Sequence, residues 1–218
     1  IFSSNHGSKL PINVIGSNDP IPINYNLQIP SAQVKSAILL AGLNVRGKTT
    51  VLENEPTRDH TEKMLKFLGA NVQIDKKGSS NNISVNGFPK LNPGIISVPG
   101  DISSASFPIA LACMIPNSEL IIKNVGLNPL RDGFVETLLE MGANIKIQNK
   151  NTEAGELVAD LHVCYSPNLV GVEVPEDRSA RMIDEYPILS ILAATATGPT
   201  IMKGIEELRF KESDRIEA

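Results

Sequence analysis

FLGANVQI, at Phe67–Ile74, returns as EMGANIKI at Glu140–Ile147. The offset that carries Gly69 onto Gly142 also carries Arg58-Asp59 onto Arg131-Asp132 and Ser31-Ala32 onto Ser104-Ala105. Separate landmarks sharing one offset mark an internal repeat. A further, partial copy is expected to start near Asp184. Each copy reads alike. A small-residue helix (SAQVKSAILLAGLN or SSASFPIALACM) is opened by a Ser suited to capping its first amides. A β-branched strand follows, KTTVLEN or SELIIKN. Next comes a helix, expected over Thr61–Leu68 and Gly133–Met141, with Gly69 and Gly142 placed to end it. Strands are predicted at Asn71–Ile74, Ile83–Val85 and Ile95–Val98 in the first copy, and a polar loop at Asn151–Glu156 in the second.

Ala-rich helices flanked by strands predict α/β units packed around helices buried on all sides. So long a period, mixing helix and strand, does not suit a solenoid of short repeats. Val98-Pro99-Gly100 interrupts the pattern between copies. It is the expected hinge, dividing residues 1–99 from residues 100–218.

Composition narrows the function classes. Apolar residues make up 41% of the 218 and aromatics 4%, with no Trp, so the core must be built from aliphatic side chains. The longest apolar stretches, Ala37–Leu43 and Tyr186–Ala196, fall short of the ~18 residues that span a bilayer. Net charge is −4, and no basic run argues for nucleic acid. Anionic ligands would need a field made locally by a few cations. Cys113 and Cys164 are far apart, and His6, His60 and His162 lack ligand spacing, so the sequence predicts no metal site and a cytoplasmic location.

Four segments could carry chemistry. Ser31-Ala32-Gln33-Val34-Lys35 opens a helix, where free amides and the dipole suit a phosphate; the plainer alternative is a cap with Gln33 and Lys35 exposed. Arg58-Asp59-His60-Thr61-Glu62 offers a guanidinium for phosphate, or merely a capping box. Asp184-Glu185 precedes Pro187 and an apolar helix; the pair could serve the dipole, or Asp184 could accept a hydroxyl proton. Lys211-Glu212-Ser213-Asp214-Arg215 is either a solvated helical face or two cations and a carboxylate meeting an anion. All four are expected at helix N-termini in equivalent places, so they could converge on one cleft.

SAQVKSAILLAGL, TRDHTEKML, PGDISSASFPIA, MIDEYPILS and EELRFKESDRIEA together resemble the 5-enolpyruvylshikimate-3-phosphate (EPSP) synthases, in order and spacing, from about Pro22 to Ala218. SAQxK (Ser31–Lys35) and RxHxE (Arg58–Glu62) resemble the class II branch; its NxTR mark appears as Asn128-Pro129-Leu130-Arg131, with Leu for Thr. The resemblance implies an inverse α/β fold, βαβαββ-type units around buried helices, in two domains closing over a cleft. It implies transfer of the enolpyruvyl group of phosphoenolpyruvate to the 5-hydroxyl of shikimate 3-phosphate, releasing phosphate, with no metal or organic cofactor. Ser31, Ala32, Gln33 and Arg58 are then expected to hold shikimate 3-phosphate. Asp184 and Lys211 bind its hydroxyls, with Asp184 aiding deprotonation. Glu212 handles the proton at the methylene carbon, and Arg215 binds phosphoenolpyruvate.

The family's N-terminal Lys-Ser pair, its Gly-Thr loop with an Arg, and its C-terminal Arg and Lys are not in this sequence. The chain starts at Ile1 and stops soon after KESDR. It is therefore expected to be a central piece of the enzyme, inactive alone and prone to self-association through apolar surface. Two alternatives are a UDP-N-acetylglucosamine enolpyruvyl transferase and a non-catalytic anion-binding module. The acidic balance disfavours an RNA 3′-phosphate cyclase.

Overall fold

The computed structural model describes residues 2–3, 13–78 and 80–217. His6 and the closing Ala218 of the KESDRIEA stretch lie outside the described residues. The chain forms two compact units, Ile1–Pro56 with Leu68–Asn92, and Thr57–Phe67 with Pro93–Ala218.

The first unit holds β1 (Phe2–Ser3), β2 (Asn13–Val14), β3 (Asn24–Asn26), α1 (Ala32–Gly42) and β4 (Lys48–Glu53). After α2 (His60–Phe67), which belongs to the second unit, the first unit closes with β5 (Val72–Lys77) and β6 (Ser80–Asn86). The main sheet runs β3-β4-β6-β5. Parallel pairing of β3 with β4 requires a crossover, which α1 supplies. Ser31 opens α1 as predicted: its backbone is extended and its hydroxyl accepts from the Val34 amide at 3.3 Å. Leu39 is fully buried. A Cβ on Gly42 would lie 2.8 Å from the Cβ of Thr49, so the helix end approaches β4 closely because glycine stands there.

The second unit adds α3 (Ile102–Met114), β7 (Glu119–Gly126), α4 (Gly133–Glu140), β8 (Ile145–Glu153), β9 (Glu156–Cys164), β10 (Glu173–Val174), α5 (Tyr186–Ala193) and β11 (Ile201–Met202). Its antiparallel sheet runs β7-β9-β8. Phe134, Leu138 and Met141 of the α4 segment pack with Ile109 of α3, Leu161 of β9 and Leu189 of α5 in one core. Both flanking strands are irregular, between Ile122 and Val125 and between Gln148 and Asn151. Asn124 and Asn149 adopt positive φ there, and both bond Asp160 of the central strand at 2.9 Å. Those bonds hold the Asp160 carboxyl below its ordinary range.

The repeat is thus real in its element order, and Gly69 (φ +90°) and Gly142 (φ +85°) end α2 and α4 in the left-handed conformation predicted for them. Several expectations need correction. The second copy's first helix is capped by the Asp101 carboxylate, not by a serine; it accepts from the Ser104 amide at 2.9 Å, and a charged acceptor outcompetes a hydroxyl. No strand forms at Ile95–Val98: pairing at this edge shrinks to a single parallel bridge between Gly100 and Val125. Asn151–Glu156 is not a loop but a tight hairpin, with β8 and β9 joined at Ala154 (φ +49°) and Gly155 (φ +86°). The helices are not buried on all sides: Val34, Leu40, Phe107, Leu111 and Ile191 are exposed, because each helix buries one face against its own unit.

Candidate active site

Asp184 is where the second unit gathers charge. Its Oδ2 accepts from Arg58 at 3.3 Å, and its Oδ1 accepts from Arg215 at 3.1 Å. The Lys211 ammonium stands 4.0 Å from the same oxygen. Arg215 also grips Glu212 through both nitrogens of its fork, at 3.0 and 2.8 Å. That pairing holds the exposed Glu212 carboxyl below the usual carboxylate range. Arg58, Asp184, Lys211, Glu212 and Arg215 are therefore brought together. Ser31, Ala32 and Gln33 belong to the first unit, where they form the N-terminus of α1 with Gln33 exposed.

The local reasons differ from those read in the sequence. KESDR is not helical: a 3-10 turn ends at Phe210, Lys211 is extended, and the chain bends back. Lys211 and Arg215 meet Asp184 through this bend rather than through helical spacing. Neither carboxylate of Asp184-Glu185 caps α5. Glu185 is the cap residue by position, but its side chain makes no cap bond and instead accepts from the Ser103 hydroxyl. Lys35, expected at the surface in the plainer reading, is fully buried and paired with Glu53 at 2.9 Å.

Around Asp184 lies a frame the sequence reading missed. Arg131 donates to Ser103 Oγ at 2.7 Å and pairs with Asp101 at 3.1 Å, so a polar chain links the starts of α3 and α5 through Ser103 and Glu185. Burial pushes the Glu185 carboxyl above its ordinary range, with Ser103 and Arg131 pulling the other way. On the other side, the 3-10 turn Glu176–Arg181 is clamped to α4. Arg178 binds both oxygens of Glu140 at 2.6 and 2.7 Å and reaches Glu136 at 2.9 Å. Arg181 reaches Glu136 at 2.6 Å and also binds Asp132. Gly133 permits the approach, since a Cβ there would meet Arg178, Arg181 and Met182 at 3.1–3.2 Å. The repeat offset of Arg131 from Arg58 was a usable signal for the first network. Nothing in the spacing of Arg178 and Arg181 announced the second.

The neighbours of Arg58 serve structure. Asp59 accepts from Asn128 at 2.7 Å and pairs with Lys63 at 2.9 Å; burial raises its carboxyl, but these partners outweigh it and the net direction is down. His60 meets Glu156 at 2.6 Å, as befits a structural hydrogen-bonding residue. A cavity of about 370 Å³ lies beside this network, bordered by His60, Met64, Val98, Asp101 and Arg131. None of the Asp184 cluster lines it, so it is not the charged site.

A family model described as EPSP synthase (3-phosphoshikimate 1-carboxyvinyltransferase) matches residues 1–218. The chain belongs to the EPSP synthase family. A curated 3-phosphoshikimate 1-carboxyvinyltransferase from Paramagnetospirillum magneticum is 53% identical over 218 residues, covering 100% of this chain and 49% of the relative. One from a Ruegeria species is 50% identical over 212 residues, covering 97% of this chain and 47% of the relative. The solved EPSP synthase of Acinetobacter baumannii superposes with a TM-score of 0.87 at 44% identity, over 99% of this chain and 47% of that one. The chain thus spans about half the length of the EPSP synthases it matches. The mixed α/β repeat architecture is that of the enolpyruvyl transferases. Among the described residues, no helix is long and apolar enough to cross a membrane.

Proposed function

We propose that this chain supplies part of the site of a 3-phosphoshikimate 1-carboxyvinyltransferase, which moves the enolpyruvyl group of phosphoenolpyruvate onto the 5-hydroxyl of shikimate 3-phosphate. The observation that carries the reading is the convergence of Arg58, Lys211 and Arg215 on Asp184. The relatives' names and the EPSP synthase family match favour this acceptor over a UDP-N-acetylglucosamine acceptor and over a non-catalytic module.

In this reading, shikimate 3-phosphate is held by Arg58 and by the amides and hydroxyl at Ser31, Ala32 and Gln33. A phosphate is a better bidentate partner for Arg58 than the single 3.3 Å contact to Asp184, so binding frees that carboxylate oxygen. Asp184 and Lys211 then meet the ring hydroxyls, and Asp184 accepts the 5-hydroxyl proton. The hydroxyl oxygen bonds to C2 of phosphoenolpyruvate while C3 gains a proton. Loss of a C3 proton and cleavage of the C2–O bond to phosphate then restore the double bond. Phosphoenolpyruvate draws Arg215 off Glu212, which lets that carboxyl rise toward its ordinary range and exchange the C3 proton in both steps. Clustered cations stabilise the charge that builds between them. No metal or organic cofactor takes part.

The same reading assigns residues 1–99 and 100–218 to two closing domains with the hinge near Gly100, a cytoplasmic setting, and activity only when the rest of the enzyme is present. Self-association of the isolated chain through its exposed aliphatic side chains belongs to it too. The test is a calorimetric titration of shikimate 3-phosphate into a full-length enzyme containing this segment. Arg58→Ala is expected to weaken binding about 10- to 100-fold, the value of a charged hydrogen-bonded contact. Binding unaffected by the substitution overturns the assignment of Arg58.

A further inference from the structure

We propose that Glu119, His162 and Cys164 form a binding site for a divalent, borderline-soft cation, Zn²⁺ foremost, on the outer face of the β7-β9-β8 sheet. Period-2 alternation along β9 sends Leu161 and Val163 into the core and leaves His162 and Cys164 on the opposite face. In the ladder register, Glu119 of β7 lies directly across from Cys164. Two donors from one strand and one from its neighbour therefore meet, a juxtaposition that sequence spacing alone does not reveal.

Among the described residues, these three ligand atoms lie within 4.8 Å of one another. The Cys164 sulfur is 3.6 Å from Nε2 of His162, and the Glu119 carboxylate is 2.7 Å from the same nitrogen. With Zn–S of about 2.3 Å and Zn–N of about 2.0–2.1 Å, a tetrahedral angle separates sulfur from nitrogen by about 3.6 Å. The observed sulfur–nitrogen edge therefore already fits. The corresponding nitrogen–oxygen edge is about 3.3 Å, so Glu119 must draw back by about half an ångström. Its side chain is 68% exposed and has room to do so.

The chemistry agrees with the geometry. One imidazole N–H serves either the carboxylate or the sulfur, whereas a cation between the three serves all of them as Lewis donors. Thiolate and carboxylate together neutralise a dication. Sulfur and imidazole select zinc over magnesium or calcium, which take all-oxygen sets. Water completes the fourth position. On the β8 side the cross-strand neighbour of His162 is Lys146, which is exposed and has room to turn its ammonium away. No residue of the Asp184 cluster takes part, so the site stands or falls independently of the transferase reading.

The experiment is a titration of the reduced, metal-free chain with Co²⁺, followed by Zn²⁺ displacement. One saturating equivalent is expected, with a thiolate-to-cobalt charge-transfer band in the near ultraviolet that Zn²⁺ abolishes. Cys164→Ala removes the band and Cys113→Ser keeps it. His162→Gln weakens Zn²⁺ more than about tenfold, since loss of second-shell support alone costs that much in metal sites. Glu119→Gln, at a side chain that is 68% exposed, is expected to give a comparable loss should the histidine variant misfold. Absence of saturable binding, or a band that survives Cys164→Ala, overturns the proposal.

Discussion

Lys35 and Glu53 meet with almost no access to water: the ammonium lies 2.9 Å from the carboxylate, at exposures of 0% and 3%. The pair ties the first turn of α1 to the end of β4, and Asn81 of β6 donates to the other carboxylate oxygen at 2.9 Å. Removing one partner takes the 2.9 Å counter-ion from a buried charge. Lys35→Met is therefore expected to cost about 3–5 kcal/mol in urea unfolding, while Lys35→Met with Glu53→Leu recovers most of it. A single variant as stable as the parent contradicts the assignment of this pair as buried.

Glu185 gives a stability change with a defined pH dependence. Burial raises its carboxyl in the folded chain relative to the unfolded value of 4.5, so folding favours the protonated form. The native state thus loses stability as pH rises through the raised value, and no such penalty remains below the unfolded one. Glu185→Gln, which keeps an acceptor for Ser103, is expected to raise the melting temperature at pH 7.5 more than at pH 4. Thermal unfolding at the two pH values checks this, and an equal effect at both removes the linkage.

Tyr186 follows Glu185 into the core. It is 2% exposed, its hydroxyl finds no hydrogen-bond partner among the described residues, and burial pushes its pKa up to about 12. Burying an unsatisfied hydroxyl costs about 1–3 kcal/mol, so Tyr186→Phe is expected to be neutral or stabilising by about 1 kcal/mol. Denaturant midpoints measure it. A clear loss of stability means that the hydroxyl has a partner.

The β8–β9 hairpin turns through Ala154 and Gly155, both at positive φ. A left-handed alanine costs about 1 kcal/mol, and asparagine tolerates that region better, so Ala154→Asn is expected to stabilise by a fraction of that amount. Gly155→Ala should lose about 1 kcal/mol or more, since strain adds to a Cβ placed 3.3 Å from that of Lys63. Opposite signs from adjacent substitutions make a sharp calorimetric test.

What could be read in the sequence was what repeats or what local chemistry dictates. Ser31, Gly69 and Gly142 behave as their neighbours require, because caps depend on a few adjacent residues. The Asn151–Glu156 segment looked like a loop because its residues are polar, yet strands that face water on one side are polar too. Asp101 was passed over because serines crowd the same helix start. KESDR was placed on a helix from its charge spacing, whereas its groups converge through a bend that only tertiary contact with Asp184 explains. The Arg178 and Arg181 clamp joins segments far apart in the chain, with no shared pattern to mark it.

That clamp leads directly into Met182-Ile183-Asp184. The outer face of α4 therefore acts as a mount for the carboxylate at the centre of the charged site, adding an ionic grip to the packing of Met182 and Ile183 in the core. Substitutions at Glu136 or Glu140 are expected to loosen that mount while leaving the direct partners of Asp184 unchanged.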